Sequence, residues 1–128
     1  MKYILMMSGT QAGVDSYRAW PPAAIATHMG ALKAMQNDLS ASGEFVATQP
    51  LSPPSEAWVV RGEKNGIPVT DGVFPESKEF LLGYWIVDVA SAERASEIAA
   101  RISAAPGIGG APTNMPIEVR RFAETPPR

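Results

Sequence analysis

The sequence predicts an α+β sandwich, in which two helices cover one face of an antiparallel sheet. Three observations support this prediction. The 128 residues, 45% of them hydrophobic, suffice for one domain with a core. Two segments with helical periodicity alternate with short segments of strand composition. The segment at residues 83–89 alternates as a strand does, with Trp85, Val87 and Val89 on one face and Tyr84, Ile86 and Asp88 on the other.

The first third of the chain predicts a strand, a loop and a long helix. Residues 3–8 form a short apolar segment compatible with a strand, and residues 9–21 form a polar loop that leads into Pro21-Pro22. Proline suits the first turn of a helix because its missing N–H would have no helical partner there. The helix is predicted over residues 22–42, with Gly43 as its C-terminal stop. Its apolar residues recur at spacings of three and four: Ile25, Met29, Leu32, Met35 and Leu39.

The middle of the chain predicts one strand and one hairpin. Residues 44–50 read as a strand that leads into a proline-rich surface loop. Residues 57–61 and 67–70 flank Asn65-Gly66, a pair that tolerates the positive φ of tight turns. We therefore expect the two segments to pair as a short hairpin.

The last third predicts a helix between two strands. After the strand at residues 83–89, Ser91 can cap a helix over residues 92–104. A loop rich in Gly and Pro covers residues 106–112, and residues 116–122 form the last strand. The apolar stripe of this second helix contains Ala95, Ile98, Ala99 and Ile102.

This order of elements is that of a ferredoxin-like α+β sandwich. We expect a single domain over residues 1–123 and a loose C-terminal tail over residues 124–128. One layer of helices leaves the second sheet face uncovered, although that face also carries large apolar side chains. Two chains that pair with their sheets face to face would cover it, so the sequence predicts a homodimer.

Charge and composition exclude several classes of function. The chain has 11 basic and 13 acidic residues and no basic cluster, so nucleic acid is not an expected partner. Without Cys, a disulfide scaffold, a Cys-ligated zinc and a Cys nucleophile are excluded, and one His cannot hold a metal alone. We expect no metal and no other cofactor. The apolar start of the chain is too short for a membrane span or a signal peptide, so we expect no membrane partner and a cytoplasmic protein.

His28 is the first candidate for chemistry. It falls within the apolar stripe of the long helix, which predicts that it faces the sheet. An imidazole there needs a partner, because an unpaired buried polar group costs about 1–3 kcal/mol. Two interpretations stay open, namely a core histidine bonded to backbone and a general acid or base that exchanges protons near neutral pH.

Asp71 is the second candidate. Thr70-Asp71-Gly72 opens a turn, where an Asp carboxylate commonly accepts hydrogen bonds from backbone N–H groups. In the functional interpretation its carboxylate reaches Nδ1 of His28, fixes the ring tautomer and raises the basicity of the ring. The glycine-rich residues 107–110 do not suit a phosphate loop, because they follow a helix and no Lys-Ser or Lys-Thr comes after them.

The three tryptophans are candidates for a pocket that accepts aromatic rings. For Trp58 and Trp85, which lie in predicted strands, a place in the core is the expectation.

The most specific motif is the string VTDGVFPESKE at residues 69–79, followed by LGYWIV at residues 82–87. Together with Val60-Arg61, His28-Met29 and residues 117–120, it resembles the YCII-related family over roughly residues 1–121, in particular the branch named for a DGPF motif. The usual proline of that motif is Val73 here, and Pro75 follows two residues later, which is expected to reshape the turn.

The resemblance implies a ferredoxin-like, dimeric α+β barrel, similar in architecture to muconolactone isomerases, with His28 and Asp71 as a catalytic pair in a cleft. It also implies cofactor-independent proton transfer on a small cyclic or aromatic substrate, of the isomerase or dehydrochlorinase type. One relative is a dehydrochlorinase of a chlorinated hydroxyquinol, whereas others are associated with sigma-factor-like regulators. The alternatives are therefore a non-catalytic small-molecule-binding or regulatory module, and a structural dimer in which His28 is a satisfied core residue.

Overall fold

Six strands and three helices form the part of the chain that the structure describes. The structure, a computed structural model, describes residues 1–62, 69–71 and 78–124, and residues 69–71 by their backbone alone. The elements in chain order are β1 Lys2–Gly9, α1 Gln11–Arg18, α2 Pro22–Ser42, β2 Phe45–Pro50, β3 Val59–Arg61, β4 Val69–Asp71, β5 Phe80–Asp88, α3 Ala92–Ser103 and β6 Ile117–Arg121.

A four-stranded sheet in the order β2-β5-β1-β6 organises the fold. All three neighbouring pairs are antiparallel. Helix α2 lies between β1 and β2 in the chain, and α3 lies between β5 and β6, so each long helix connects a central strand to an edge strand. This is the topology of a ferredoxin-like α+β sandwich, and the predicted fold class is confirmed.

Strands β3 and β4 form a separate antiparallel pair, in which Val60 lies opposite Thr70. The predicted hairpin pairing is therefore present, and its proposed turn at Asn65-Gly66 lies outside the described residues. The expectation that Trp58 belongs to the core is wrong, because its side chain is 67% exposed. Strand alternation assigns a residue to a face, but a two-stranded ribbon provides little to pack against that face.

The core lies between the sheet and the helices α2 and α3. Four side chains at its centre are almost fully inaccessible: Leu5, Leu39, Val87 and Ile98. Burying an aliphatic side chain of this size contributes about 1.5–3 kcal/mol. The predicted stripe of α3 is confirmed, since Ala95, Ile98, Ala99 and Ile102 are all buried. The alternation predicted for residues 83–89 is present as well, and Trp85, Val87 and Val89 are the buried set.

The ends of the two long helices follow from their sequences. Helix α2 starts at Pro22 and ends where Gly43 adopts a left-handed conformation, with φ of 80°. Helix α3 starts after Ser91, whose side-chain oxygen accepts the Arg94 N–H at 3.1 Å. Both predicted caps are therefore confirmed.

An ion pair joins α3 to the start of β2. The Arg94 guanidinium donates from Nε and Nη2 to the two carboxylate oxygens of Glu44, each at 2.9 Å. This bidentate hydrogen bonding is the main reason why the pKa of Glu44 lies below its ordinary value. The same contact raises the pKa of Arg94.

The N-terminal half of α2 differs from the prediction. Met35 and Leu39 are buried as predicted, but Met29 is 50% exposed and Ile25 is half-buried. A helix of 21 residues is about 31 Å long. Its C-terminal half packs on the sheet, and its N-terminal half extends along a cleft.

Residues 9–21 also differ from the prediction, because α1 occupies most of the expected polar loop. Thr10 caps this helix by accepting the Gly13 N–H at 3.1 Å. None of its residues is buried. The helix carries no long apolar stripe, which is why periodicity did not predict it.

The sheet face opposite the helices is apolar at its centre. Ile4 lies opposite Ile86, and Met6 lies opposite Tyr84, on the two central strands. All four are half-buried. Within the described residues, no helix is both long enough and apolar enough to cross a membrane.

Candidate functional site

A cleft of about 750 Å³ lies beside α1 and the N-terminal half of α2. Volumes of about 300–1,000 Å³ are typical of sites for small molecules. Its lining is mainly apolar and aromatic, and it includes Tyr17, Trp20, His28, Leu32 and Trp85. Residues 50–53, after β2, and residues 113–116, before β6, also line it.

A β-bulge shapes the sheet side of the cleft. Met7 pairs with Gly83 and Ser8 pairs with Leu81, so Leu82 is an extra residue in β5. Leu82 lines the cleft, and a Cβ at Gly9 would come within 2.8 Å of its Cδ1 atom. Because Gly9 has no side chain, the Leu82 side chain can occupy the space beside it.

His28 lies on the helical wall of the cleft and is half-buried. Its Nδ1 is 3.0 Å from the carbonyl oxygen of Pro106. The ring lies edge to face with Tyr17 and with Trp20, each at 5.7 Å between ring centroids. Tyr17 and Trp20 contact each other at 4.9 Å, so the three rings form one aromatic cluster.

The hydrogen bond to Pro106 determines what His28 can do chemically. A carbonyl oxygen accepts but cannot donate, so Nδ1 carries the hydrogen. In the neutral ring, Nε2 is then the nitrogen with a free lone pair. No residue in the described part of the chain hydrogen-bonds to Nε2. The site therefore offers one basic nitrogen in a largely apolar cleft.

The Pro106 carbonyl is held by a compact turn. The Gly107 N–H donates to the Ala111 carbonyl at 2.6 Å, and the Thr113 N–H donates to the Ala105 carbonyl at 3.0 Å. A Cβ at Gly107 would lie 3.3 Å from both Trp20 Cη2 and Thr113 Cγ2. Glycine thus allows the turn to pack directly against the edge of the Trp20 ring. The glycine-rich residues 107–110, which do not suit a phosphate loop, belong to the turn that holds the Pro106 carbonyl against His28.

Helix α1 brings Tyr17 to the cleft and is attached at its N-terminal end. The Gln11 side-chain carbonyl accepts the Ser55 N–H at 2.9 Å, which ties the helix to the loop after β2. At its other end, Tyr17 packs on Trp20. These contacts position the helix, although its own sequence supplies little apolar surface.

The structure places the two predicted site residues as follows. His28 lines a cleft and is not a core residue, but it does hydrogen-bond to backbone, as one interpretation expected. Asp71 ends β4, where its backbone pairs with Val59, and its side chain lies outside the described part of the structure. The Nδ1 atom, which was expected to bind Asp71, lies within hydrogen-bond distance of the Pro106 carbonyl oxygen. The pairing of His28 with Asp71 stays a prediction.

Tyr17, Arg18 and the Pro106 carbonyl were not predicted as parts of the site. The cap at Thr10 was a signal for α1, and hence for Tyr17 and Arg18. A backbone acceptor such as Pro106 leaves no mark in the side-chain pattern. Within the described residues, no group of three His, Cys, Asp or Glu side chains could hold a metal ion.

The fold and the cleft define a ferredoxin-like α+β domain with a histidine in a cleft of small-molecule size. The family model of the YCII-related domain matches residues 1–117, and the chain belongs to this family. It is similar to an uncharacterised protein of Rhizobium meliloti (strain 1021), with 30% identity over 95 residues. That match covers 74% of this chain and 77% of the relative. The predicted family is thus confirmed, while the DGPF branch stays a prediction.

Proposed function

We propose that the cleft is the active site of a cofactor-independent proton-transfer enzyme, of the isomerase or dehydrochlorinase type, for a small cyclic or aromatic substrate. One observation carries the proposal. The Nδ1–H of His28 is bound to a backbone carbonyl, which leaves Nε2 as a base in an apolar cleft. A positioned general base typically accelerates proton transfer about 10²–10⁴-fold.

The chemistry starts with removal of a proton. Nε2 takes a proton from a substrate carbon next to a carbonyl or an equivalent acidifying group. The Pro106 carbonyl stabilises the resulting imidazolium through its hydrogen bond to Nδ1. In isomerisation, Nε2 returns the proton to a second carbon of the same substrate. In dehydrochlorination, the electron pair of the broken C–H bond forms a double bond, chloride leaves with the C–Cl electrons, and the proton passes to water.

Asp71 is the second catalytic residue that we propose, as expected for a member of the DGPF branch. Two features support it, namely the motif around residues 69–79 and the pairing of Asp71 with Val59. Strand β3 follows the cleft-lining residues 50–53 in the chain. Because Nδ1 already has a partner, the role that fits Asp71 is to face the substrate or the protonated Nε2.

We also propose that the protein works in the cytoplasm as a homodimer through the open sheet faces. The apolar centre of that face, formed by Ile4, Met6, Tyr84 and Ile86, supports the dimer. Two copies that bury this surface would form the α+β barrel expected for the family.

The second candidate is a non-catalytic small-molecule-binding or regulatory module that is linked to a sigma-factor system. The same hydrogen bond favours it, because Pro106 satisfies one ring nitrogen and the aromatic cluster fixes the ring. In this alternative His28 shapes the cleft and transfers no proton.

Proton exchange into D₂O separates the two candidates before a substrate is known. A panel of small lactones, cyclic enones and chlorinated phenols is incubated with the protein in D₂O, and loss of C–H signals is followed by ¹H NMR. The matched variant is His28→Asn, whose side-chain amide N–H replaces Nδ1–H while Nε2 is lost. An enzyme exchanges a C–H of at least one compound, and the variant slows this exchange about 100-fold or more. Equal exchange rates with the two proteins would refute the role of His28.

A further inference from the structure

We infer that the cleft selects a flat ligand that carries negative charge, such as a ring carboxylate or a phenolate, and that Arg18 and Lys33 recognise the charge. The inference names the substrate class of the proposed active site and rests on that proposal only in using the same cleft.

The charge of the described residues that line the cleft differs in sign from the net charge of the protein. Arg18 and Lys33 line the cleft, and no Asp or Glu side chain in the described part of the chain does so. The whole chain, in contrast, has a formal net charge of −2. The described lining of the cleft therefore carries positive charge on a protein that is acidic overall.

Neither cation is neutralised within the described part of the structure. The ion pairs there involve the N-terminus and four other arginines, Arg94, Arg101, Arg120 and Arg121. The side chains of Arg18 and Lys33 are exposed and remain available to a ligand. Two positive charges beside apolar walls attract an anion more strongly than the same charges on an open surface.

The apolar lining of the cleft suits an aromatic or cyclic ligand. Tyr17, Trp20 and His28 form a cluster of rings along one side. Trp85 and Met7 belong to the sheet, and polarisable thioethers pack well against aromatic rings. A ligand with one flat apolar part and one anionic group uses both features of the cleft.

Three naphthalene probes of similar size test the selection. They are 1-naphthoate, the neutral 1-naphthamide and the cationic 1-naphthylmethylammonium, with binding followed by quenching of tryptophan fluorescence. Trp20 and Trp85 line the cleft and report on its occupancy. We expect naphthoate to bind roughly tenfold more tightly than naphthamide, and the cation to bind most weakly. Added salt should weaken naphthoate and leave naphthamide unchanged.

Three charge variants locate the effect. Arg18→Gln and Lys33→Gln are each expected to weaken naphthoate roughly 3- to 10-fold, with naphthamide unchanged. Arg101→Gln is the matched control, because it removes the same charge from an exposed side chain of α3, a helix that does not line the cleft. The control should bind all three probes like the wild type. Because Arg18 and Lys33 lie on different helices, loss of folding in one variant leaves the other as the test.

Three results would overturn the inference: similar affinity for all three probes, equal weakening by Arg101→Gln and Arg18→Gln, or no binding of any probe. The proton-transfer proposal fails separately. If His28→Asn keeps the naphthoate preference and D₂O exchange does not depend on His28, the selectivity stands and the catalytic proposal falls. If exchange depends on His28 but the probes show no charge preference, only the selectivity is refuted.

Discussion

The hydrogen bond between His28 and Pro106 predicts different stabilities for two replacements of the same side chain. His28→Ala removes the bond and both ring contacts, whereas His28→Asn can keep an N–H donor near the position of Nδ1. The two variants therefore separate the hydrogen bond from the rest of the ring.

The magnitude follows from the contacts. The hydrogen bond to Pro106 is 3.0 Å long and partly buried, and such a bond contributes about 1 kcal/mol. Each edge-to-face contact, with Tyr17 and with Trp20, adds about 0.5–1.5 kcal/mol. His28→Ala should then lower the free energy of unfolding by about 2–4 kcal/mol, and His28→Asn should recover about 1 kcal/mol of this loss.

Thermal unfolding followed by circular dichroism measures the difference. For a domain of this size, 1 kcal/mol corresponds to a Tm change of roughly 3–6 °C. His28→Asn is expected to melt above His28→Ala by about this amount. If the two variants melt together, the bond to Pro106 does not stabilise the protein, and the assignment of the Nδ1 hydrogen loses its support.

Three other predictions concern the turn, the ion pair and the sheet face. Gly107→Ala should lower the free energy of unfolding by about 1–2 kcal/mol in urea titrations, since its Cβ crowds the Trp20 ring; an unchanged midpoint would contradict this packing. Because the pKa of Glu44 is lowered by Arg94, the pair stabilises the protein above the ordinary pKa of 4.5, and this stabilisation is lost as pH falls through the lowered value. Glu44→Gln should therefore cost about 1 kcal/mol at pH 7 and progressively less below pH 4.5, whereas a cost independent of pH would refute the assignment. Ile86→Glu should give a folded monomer in sedimentation velocity if the sheet faces pair, and a persistent dimer would place the interface elsewhere.

The long helices and the central strands were predictable because their signals are local. Gly43 and Ser91 mark helix ends, and the buried stripe of α3 follows the helical period. Helix α1 was missed since it contains Gly13 and few apolar residues, and contacts such as that between Gln11 and Ser55 hold it in place. Tertiary contacts of this kind leave no periodic pattern of apolar residues in the sequence.

The candidate site was predictable only in part. His28 was predictable as a site residue because it is the one histidine of the chain and lies in an apolar stripe. Its acceptor, the Pro106 carbonyl, is 78 residues away and belongs to the backbone. The bulge at Leu82 is a one-residue shift in strand pairing that alternation does not reveal. The cleft is therefore formed by tertiary contacts between segments that are far apart in the sequence.

The protonation state of the His28 ring is the most direct test of the central claim. Nitrogen-15 NMR of the uniformly labelled protein reports which ring nitrogen carries hydrogen, and the signals are unambiguous because the chain has one histidine. In the neutral ring, we predict hydrogen on Nδ1 and a bare Nε2. A neutral ring with hydrogen on Nε2 and a bare Nδ1 would contradict the bond to Pro106, and with it the base that the proposed chemistry needs.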